Sequence, residues 1–369
     1  MSNLKTLIYA ISTLSGSIIG VGLFSLPYIT LKVGIWVMLG YFLVLGSLVI
    51  LVHQFFGELA LATPDLKRLP GFAKFHLGNK GEKIAYLSST LGIFGAILAY
   101  LIVGGEFLTE LLSPFFGGGN LVWTLFYFSL GAILIFFGIK AISKVEFWGL
   151  VLFFIILIAI FFREQPFLKL ENLFPAPDFA YLFLPYGAIL FSLWGVTLIP
   201  EVEEMLRERK KLLKMIIPIS ILIPIFVYLF FIYLVLGITG PKTTETALTG
   251  LRAVLGDGIV SLTLLFGLLT TFTSFTTLGL TLKKIFWYDL KMDKNLAWLI
   301  TCFVPLILFL IGVRQFIPVI VFIGGVMLGI DGILILLMYR KINPKQILVY
   351  PLLLILFGGI IYQIIYFLK

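Results

Sequence analysis

Eleven long stretches of this sequence carry almost no charge, and they leave room for little else. Bounded by charged or Gly/Pro-rich turns, they run near 6–31, 34–62, 84–112, 121–140, 147–162, 179–205, 215–238, 257–282, 296–313, 316–339 and 347–367. A helix that crosses a bilayer needs about 20 predominantly apolar residues. In hydrocarbon a backbone group finds no water, so each stretch must satisfy its own N–H and C=O groups as a helix. Composition agrees: charged residues make up 12% of the 369, against roughly 25% in soluble domains. Mean hydropathy is +1.13. The expected fold class is therefore all-α integral membrane, with no room for a soluble catalytic domain. The first stretch is too long, and its start too weakly charged, for a cleaved signal peptide, so it reads as the first mature span.

Basic residues set the expected orientation, because positively charged loops stay cytoplasmic. An odd number of spans puts the two termini on opposite sides. With the N-terminus inside, 20 of the 27 Lys and Arg fall in inner segments, most densely in 64–83 and 207–214. The expectation is a multi-pass protein of the cell membrane, N-terminus cytoplasmic and C-terminus outside. The net charge of +9 is then an orientation signal spread over six loops, and a nucleic-acid partner is not expected. Cys302 is the single cysteine and reads as a buried structural thiol. His53 and His76 are too far apart to suggest a metal site and read as structural.

Two of the stretches are interrupted. The first contains Ser15-Gly16-Ser17-Ile18-Ile19-Gly20-Val21-Gly22 near mid-depth, and its three glycines weaken the helix. The sixth contains Phe191-Ser192-Leu193-Trp194-Gly195-Val196-Thr197-Leu198-Ile199-Pro200-Glu201. Backbone freed from the helical ladder inside a membrane persists where it lines a cavity or binds a ligand, although close packing of small residues also explains such glycines. Spans one and six each open a set of five. That correspondence is the pattern of an inverted repeat with its substrate site at the repeat interface.

The run Gly20-Val21-Gly22-Leu23-Phe24-Ser25-Leu26-Pro27-Tyr28 resembles the GxGxxxLPY signature of amino-acid permeases. Three further segments extend the likeness: Leu69-Pro70-Gly71-Phe72-Ala73-Lys74 with Leu77-Gly78, the stretch from Tyr100 to Phe107, and Thr273-Ser274-Phe275 with Leu278-Gly279. In this order they resemble the aromatic amino-acid (tryptophan/tyrosine) permease branch of the amino acid, polyamine and organocation superfamily. The resemblance implies the leucine-transporter fold, a 5+5 inverted repeat with discontinuous first and sixth helices. Residues 1–165 would form repeat one, 175–340 repeat two, and 341–369 an extra eleventh span. It implies that the amides around Val21 and Gly22, with Ser17 and Gly20 beside them, hold a substrate carboxylate that Tyr100 helps to orient. It implies that the carbonyls of Gly16 and Ile19, with the hydroxyls of Thr273 and Ser274, occupy the position of a Na+ site in sodium-coupled members. Proton-coupled members keep similar hydroxyls there, so the coupling ion is H+ or Na+.

Ionisable side chains inside spans are costly and mark function or a polar partner. Asp331 is mid-span in the tenth stretch; Glu106 is in the outer half of the third; Glu201 follows Pro200 at the second break. These three are the candidate ion-coupling carboxylates. Glu58, near a span end, is expected to pair with a loop lysine. Phe191, Ser192, Trp194 and Gly195 flank the second break and are candidates for the side-chain pocket. The expected function is cation-coupled symport of an aromatic or other apolar amino acid by a monomer without cofactor. The alternative is a transporter-like amino-acid sensor, similar to the permease-like subunits of spore germinant receptors. An enzyme is not expected, since no His, Cys or paired carboxylates cluster at one depth.

Overall fold

Helices occupy all eleven apolar stretches, and two of the stretches are split in the places where glycine weakens them. The computed structural model describes residues 3–64, 67–138, 142–163, 165–255 and 258–368. Lys140 and Lys369 of the basic-residue count, and position 257 at the edge of the eighth stretch, lie outside the described residues. In chain order the α-helices are α1 (Asn3–Ile18), α2 (Leu26–Val33), α3 (Ile35–Ala62), α4 (Leu69–Phe116), α5 (Asn120–Phe137), α6 (Ile142–Arg163), α7 (Leu184–Leu193) and α8 (Ile199–Leu206). They continue as α9 (Leu213–Thr239), α10 (Leu248–Leu255), α11 (Gly258–Lys284), α12 (Lys294–Leu310), α13 (Phe316–Phe322), α14 (Leu328–Ile342) and α15 (Val349–Leu368). Among the described residues, seven helices are long and apolar enough to cross a membrane, and α1 with α2 makes an eighth span bent by 49°. Leu43, Phe137 and Leu354, on three different helices, stand exposed on the outside of the molecule. Water does not favour so much outward apolar surface, whereas lipid does.

Local chemistry explains the irregular points. Gly78 sits at φ 76°, ψ −168°, a conformation that residues with a side chain avoid, and there α4 turns from a short N-terminal arm into its long span. Span ten is α13, a π-turn over Ile323–Met327 and α14. Its Gly324 lies directly against the Gly187 backbone of α7, so the two helices cross without side chains between them. The Pro-containing connection before α7 folds back onto the bundle, where Asp178 N–H donates to Lys32 O at 2.9 Å and Lys169 N–H to Gly237 O at 3.0 Å.

Two packing groups follow from the helix neighbours. The broken helices α1, α2 and α8 pack mainly on α3 and α9, and α7 packs on α3 and on span ten. Helices α4, α5, α11 and α12 pack on one another, and α14 touches both α3 and α4. The two breaks lie where these groups meet.

Candidate functional site

The first break begins where α1 ends at Ile18. Ile19 and Gly20 leave the helix, a 3-10 turn spans Val21–Ser25, and α2 resumes with Pro27 in its first turn. Both break glycines are required by close neighbours. A Cβ on Gly20 would run into the Tyr100 hydroxyl of α4, and one on Gly22 would run into the Ser192 side chain of α7. The Tyr100 hydroxyl also accepts the Val21 N–H at 3.4 Å.

At the second break α7 ends at Leu193, Trp194 is extended, and a 3-10 turn over Val196–Leu198 leads into α8. Gly195 N–H donates to His53 Nε2 at 2.9 Å, and His53 Nδ1 lies 2.8 Å from Val49 O. Together these bonds assign the hydrogen to Nδ1 and leave Nε2 as the acceptor. The fully buried imidazole also meets the Trp194 indole edge to face, with centroids 5.2 Å apart. Tyr228 of α9 spans both breaks: its hydroxyl is 2.7 Å from Ile18 O and 2.7 Å from Ser192 O. One hydroxyl hydrogen therefore serves the last carbonyls of two half-helices, one at a time. Three side chains from unbroken helices thus satisfy backbone that the breaks release, as buried polar groups require.

Between the breaks lies a cavity of about 250 Å³. At ~30 Å³ per water, the space holds on the order of eight waters. The expected substrate residues Ser17, Gly20, Val21, Gly22 and Tyr100 line it, as do Phe191, Ser192, Trp194 and Gly195 from the second break. Gly16, Ile19, Thr273 and Ser274 line it as well. Thr273 donates its hydroxyl to Thr270 O at 3.0 Å within its own helix. Glu201, in the first turn of α8, and Asp331 complete the expected residues on the wall. Among the described residues, no group of three or more His, Cys, Asp or Glu is placed to hold a metal ion.

Glu106 does not reach this cavity. It accepts a hydrogen bond from Thr246 at 2.8 Å, in the segment preceding α10, and next to it Arg252 pairs with Glu110 at 3.1 Å. Phe24, Phe107 and Phe231 stack edge to face between that end and the breaks, and all three are buried. At the opposite end the cavity reaches Arg68 and Asp289, partly exposed and paired at 3.4 Å. The site is therefore closed on one side and open on the other. In the wall, Asp331 is 4% exposed and accepts the Ser88 hydroxyl at 2.5 Å. Glu58 pairs with Lys214 at 2.9 Å, as a span-end carboxylate should. His53, Tyr228 and Ser88 are polar residues inside apolar stretches, and that position was the only signal in the sequence that they mattered.

A family model described as the tryptophan/tyrosine permease family matches residues 4–365. The chain is similar to a tyrosine-specific transport system of Haemophilus influenzae, 25% identical over 298 residues that cover 77% of this chain and 73% of the relative. Among solved structures, an inward-facing conformation of Mhp1 superposes with a TM-score of 0.65 at 12% identity, over 88% of this chain and 75% of that one. MhsT in complex with L-phenylalanine gives 0.58 at 16% identity, over 100% and 98%. These neighbours carry the leucine-transporter fold of five plus five helices, and the present chain has the same fold.

Proposed function

The chain belongs to the tryptophan/tyrosine permease family and transports amino acids, and on that footing we propose cation-coupled symport of an aromatic or other apolar amino acid by alternating access. The observation that carries the proposal is the pair of broken helices facing one cavity of about 250 Å³, each presenting non-helical backbone to it. A substrate carboxylate would meet the amides of Val21 and Gly22, at the N-terminus of a short helical turn where N–H groups favour an anion. Tyr100 stands beside them to orient it, and Ser17 and Gly20 shape the approach. The substrate ammonium suits the opposite dipole end, where the last carbonyls of α1 and α7 converge. Phe191 and Trp194, with Ser192 and Gly195, would receive an apolar or aromatic side chain. MhsT, a neighbour with this fold, was solved in complex with L-phenylalanine.

Gly16, Ile19, Thr273 and Ser274 offer oxygen atoms suited to Na+, a hard cation. Asp331 and Glu201 offer carboxylates suited to a proton. Residues 1–165 and 175–340 serve as the two inverted repeats, with 341–369 as an added span and a monomer as the working unit. With the basic end in the cytoplasm, the described state is open inward through the Arg68–Asp289 mouth.

Uptake of labelled tyrosine, tryptophan, phenylalanine and leucine into proteoliposomes tests the proposal. The expected result is accumulation against a gradient, driven by an imposed pH or sodium gradient and competed by aromatic amino acids. Binding without accumulation would instead support the sensor alternative.

A further inference from the structure

Asp331 is buried at mid-span without an ion pair among the described residues, yet it lines the cavity. We propose that Asp331 and Ser88 form the proton-carrying site of the transport cycle, with Ser88 switching its hydroxyl between two acceptors. This deepens the cation-coupled reading above and rests on it. The two acceptors are Asp331 Oδ1 at 2.5 Å and the Ala85 carbonyl at 3.3 Å, both on hydrogen-bonding terms with the same Ser88 Oγ. With Asp331 ionised, Ser88 donates to the carboxylate. When a proton from cavity water bonds to the carboxylate, the neutral carboxyl donates its O–H to Ser88 Oγ. Ser88 then turns its own hydrogen to the Ala85 carbonyl. The Ser88 hydrogen and the carboxyl hydrogen each keep an acceptor in both states, and no heavy atom of the pair has to travel.

Most of the other charged groups around this pair are engaged elsewhere or stand away from it. On the packed faces of α3, His53 is held by Val49 and Gly195, and Glu58 by Lys214 and Tyr339. On α4 the titratable groups near Ser88 are Tyr86 and, about 9 Å back along the helix at 1.5 Å per residue, Glu82 with Lys83. Helix α7 contributes Tyr186, bonded to carbonyls of α15, and α15 itself brings Tyr350, Tyr362 and Tyr366. The π-turn brings no titratable group, and Tyr339, Arg340 and Lys341 lie two turns or more along α14. Arg68, Asp289 and Glu201 share the cavity wall, Arg68 and Asp289 being paired across its mouth.

Coupling to the substrate site follows from the next residue. A Cβ on Gly332 would sit 3.3 Å from the Trp194 ring, so the backbone beside Asp331 abuts the second break. An unpaired carboxylate in an apolar layer needs the cavity water, whereas a neutral carboxyl can be enclosed. The mouth can therefore close only over a protonated Asp331.

The test uses the full chain in proteoliposomes and in detergent. Wild type is expected to accumulate tyrosine under an imposed pH gradient without sodium, and to bind about one proton on adding tyrosine, read with a pH-indicator dye. Asp331→Asn should lose pH-driven accumulation by at least ~20-fold and take up no proton. Ser88→Ala removes a bond that favours the ionised form, and should move the pH midpoint of uptake upward by about one unit. Accumulation by Asp331→Asn under a pH gradient overturns the proposal and leaves cation coupling standing, as does wild-type uptake driven by sodium alone. Wild-type accumulation under neither gradient overturns the cation-coupled reading itself. An unmoved midpoint in Ser88→Ala overturns the switching role even if Asp331→Asn proves unstable.

Discussion

Replacing His53 by Leu should damage the substrate site far more than it damages the fold. The imidazole gives the Gly195 N–H its acceptor, and Gly195 is the residue on which the sixth span breaks. Without that acceptor a buried N–H is stranded, at a cost of about 1–3 kcal/mol. The chain can avoid the cost by rewinding across the break, which closes the site; either way the broken state loses that much stability relative to alternatives. Each 1.4 kcal/mol is tenfold in a population. Apparent affinity falls with the fraction of competent protein, so KM for the amino acid should rise about 5- to 150-fold while the maximal rate changes little. Gln can place its side-chain oxygen near the position of Nε2, and His53→Gln should keep KM within about threefold of wild type on the same reasoning. Initial-rate uptake over a concentration series, with melting temperature in detergent as the fold control, makes the comparison. An unchanged KM in His53→Leu, or a His53→Gln variant as impaired as His53→Leu, refutes the role assigned to the ring.

Gly22→Leu should abolish uptake, since even a Cβ there meets Ser192, and labelled-tyrosine uptake reads it directly. Gly20→Ala should cost about 1–3 kcal/mol through overpacking against the Tyr100 hydroxyl, and Tyr100→Phe in the same chain should return part of the lost melting temperature. Tyr228→Phe leaves the last carbonyls of α1 and α7 without their shared donor, and uptake should fall about 5- to 150-fold by the same stranded-group cost. Asp293 caps α12 by accepting from Asn295 N–H at 2.8 Å and Leu296 N–H at 3.1 Å. Those bonds hold its carboxyl below the usual carboxylate range. Its stabilising effect is therefore present above the unfolded value and is lost as pH falls through the lower folded value. Acid melting curves of wild type should steepen relative to Asp293→Ala.

The two breaks were legible because glycine and proline act locally, on the backbone that carries them. The cavity wall followed from them: Ser17, Gly20, Val21, Gly22, Tyr100, Phe191, Ser192, Trp194 and Gly195 meet around one space, as do Gly16, Ile19, Thr273 and Ser274. What holds the breaks open was not legible, because those partners are far along the chain. His53 and Gly195 are 142 positions apart, and Tyr228 and Ile18 are 210 apart. Nothing local separates Tyr228 from the other tyrosines of the chain, or a histidine that shapes a site from one that merely packs. The place of Glu106, away from the cavity, was hidden for a related reason. An ionisable group in a span suggests the pathway, but the segment preceding α10 folds back and gives this one a hydroxyl partner, Thr246, outside the cavity. Asp331 stood out as a mid-span carboxylate, whereas Ser88 looked like any serine bonding its own helix.

The strengths of the bonds around the breaks suggest which contacts survive the transport cycle. His53 and Tyr228 stand on α3 and α9, the helices against which the broken segments pack, and their bonds are 2.7–2.9 Å. Tyr100 stands on α4, in the other packing group, and its bond to Val21 is 3.4 Å. The cavity opens between the two groups, where the long bond lies. A rocking motion that closes the Arg68–Asp289 mouth must slide these groups past each other. It can keep the short bonds and exchange the long one, while the edge-to-face contact of Phe24 on Phe107 of α4 parts at the far end. On that account the contact of Phe24 on Phe107 is expected to break in the opposite state, while the broken helices are expected to stay packed on α3 and α9.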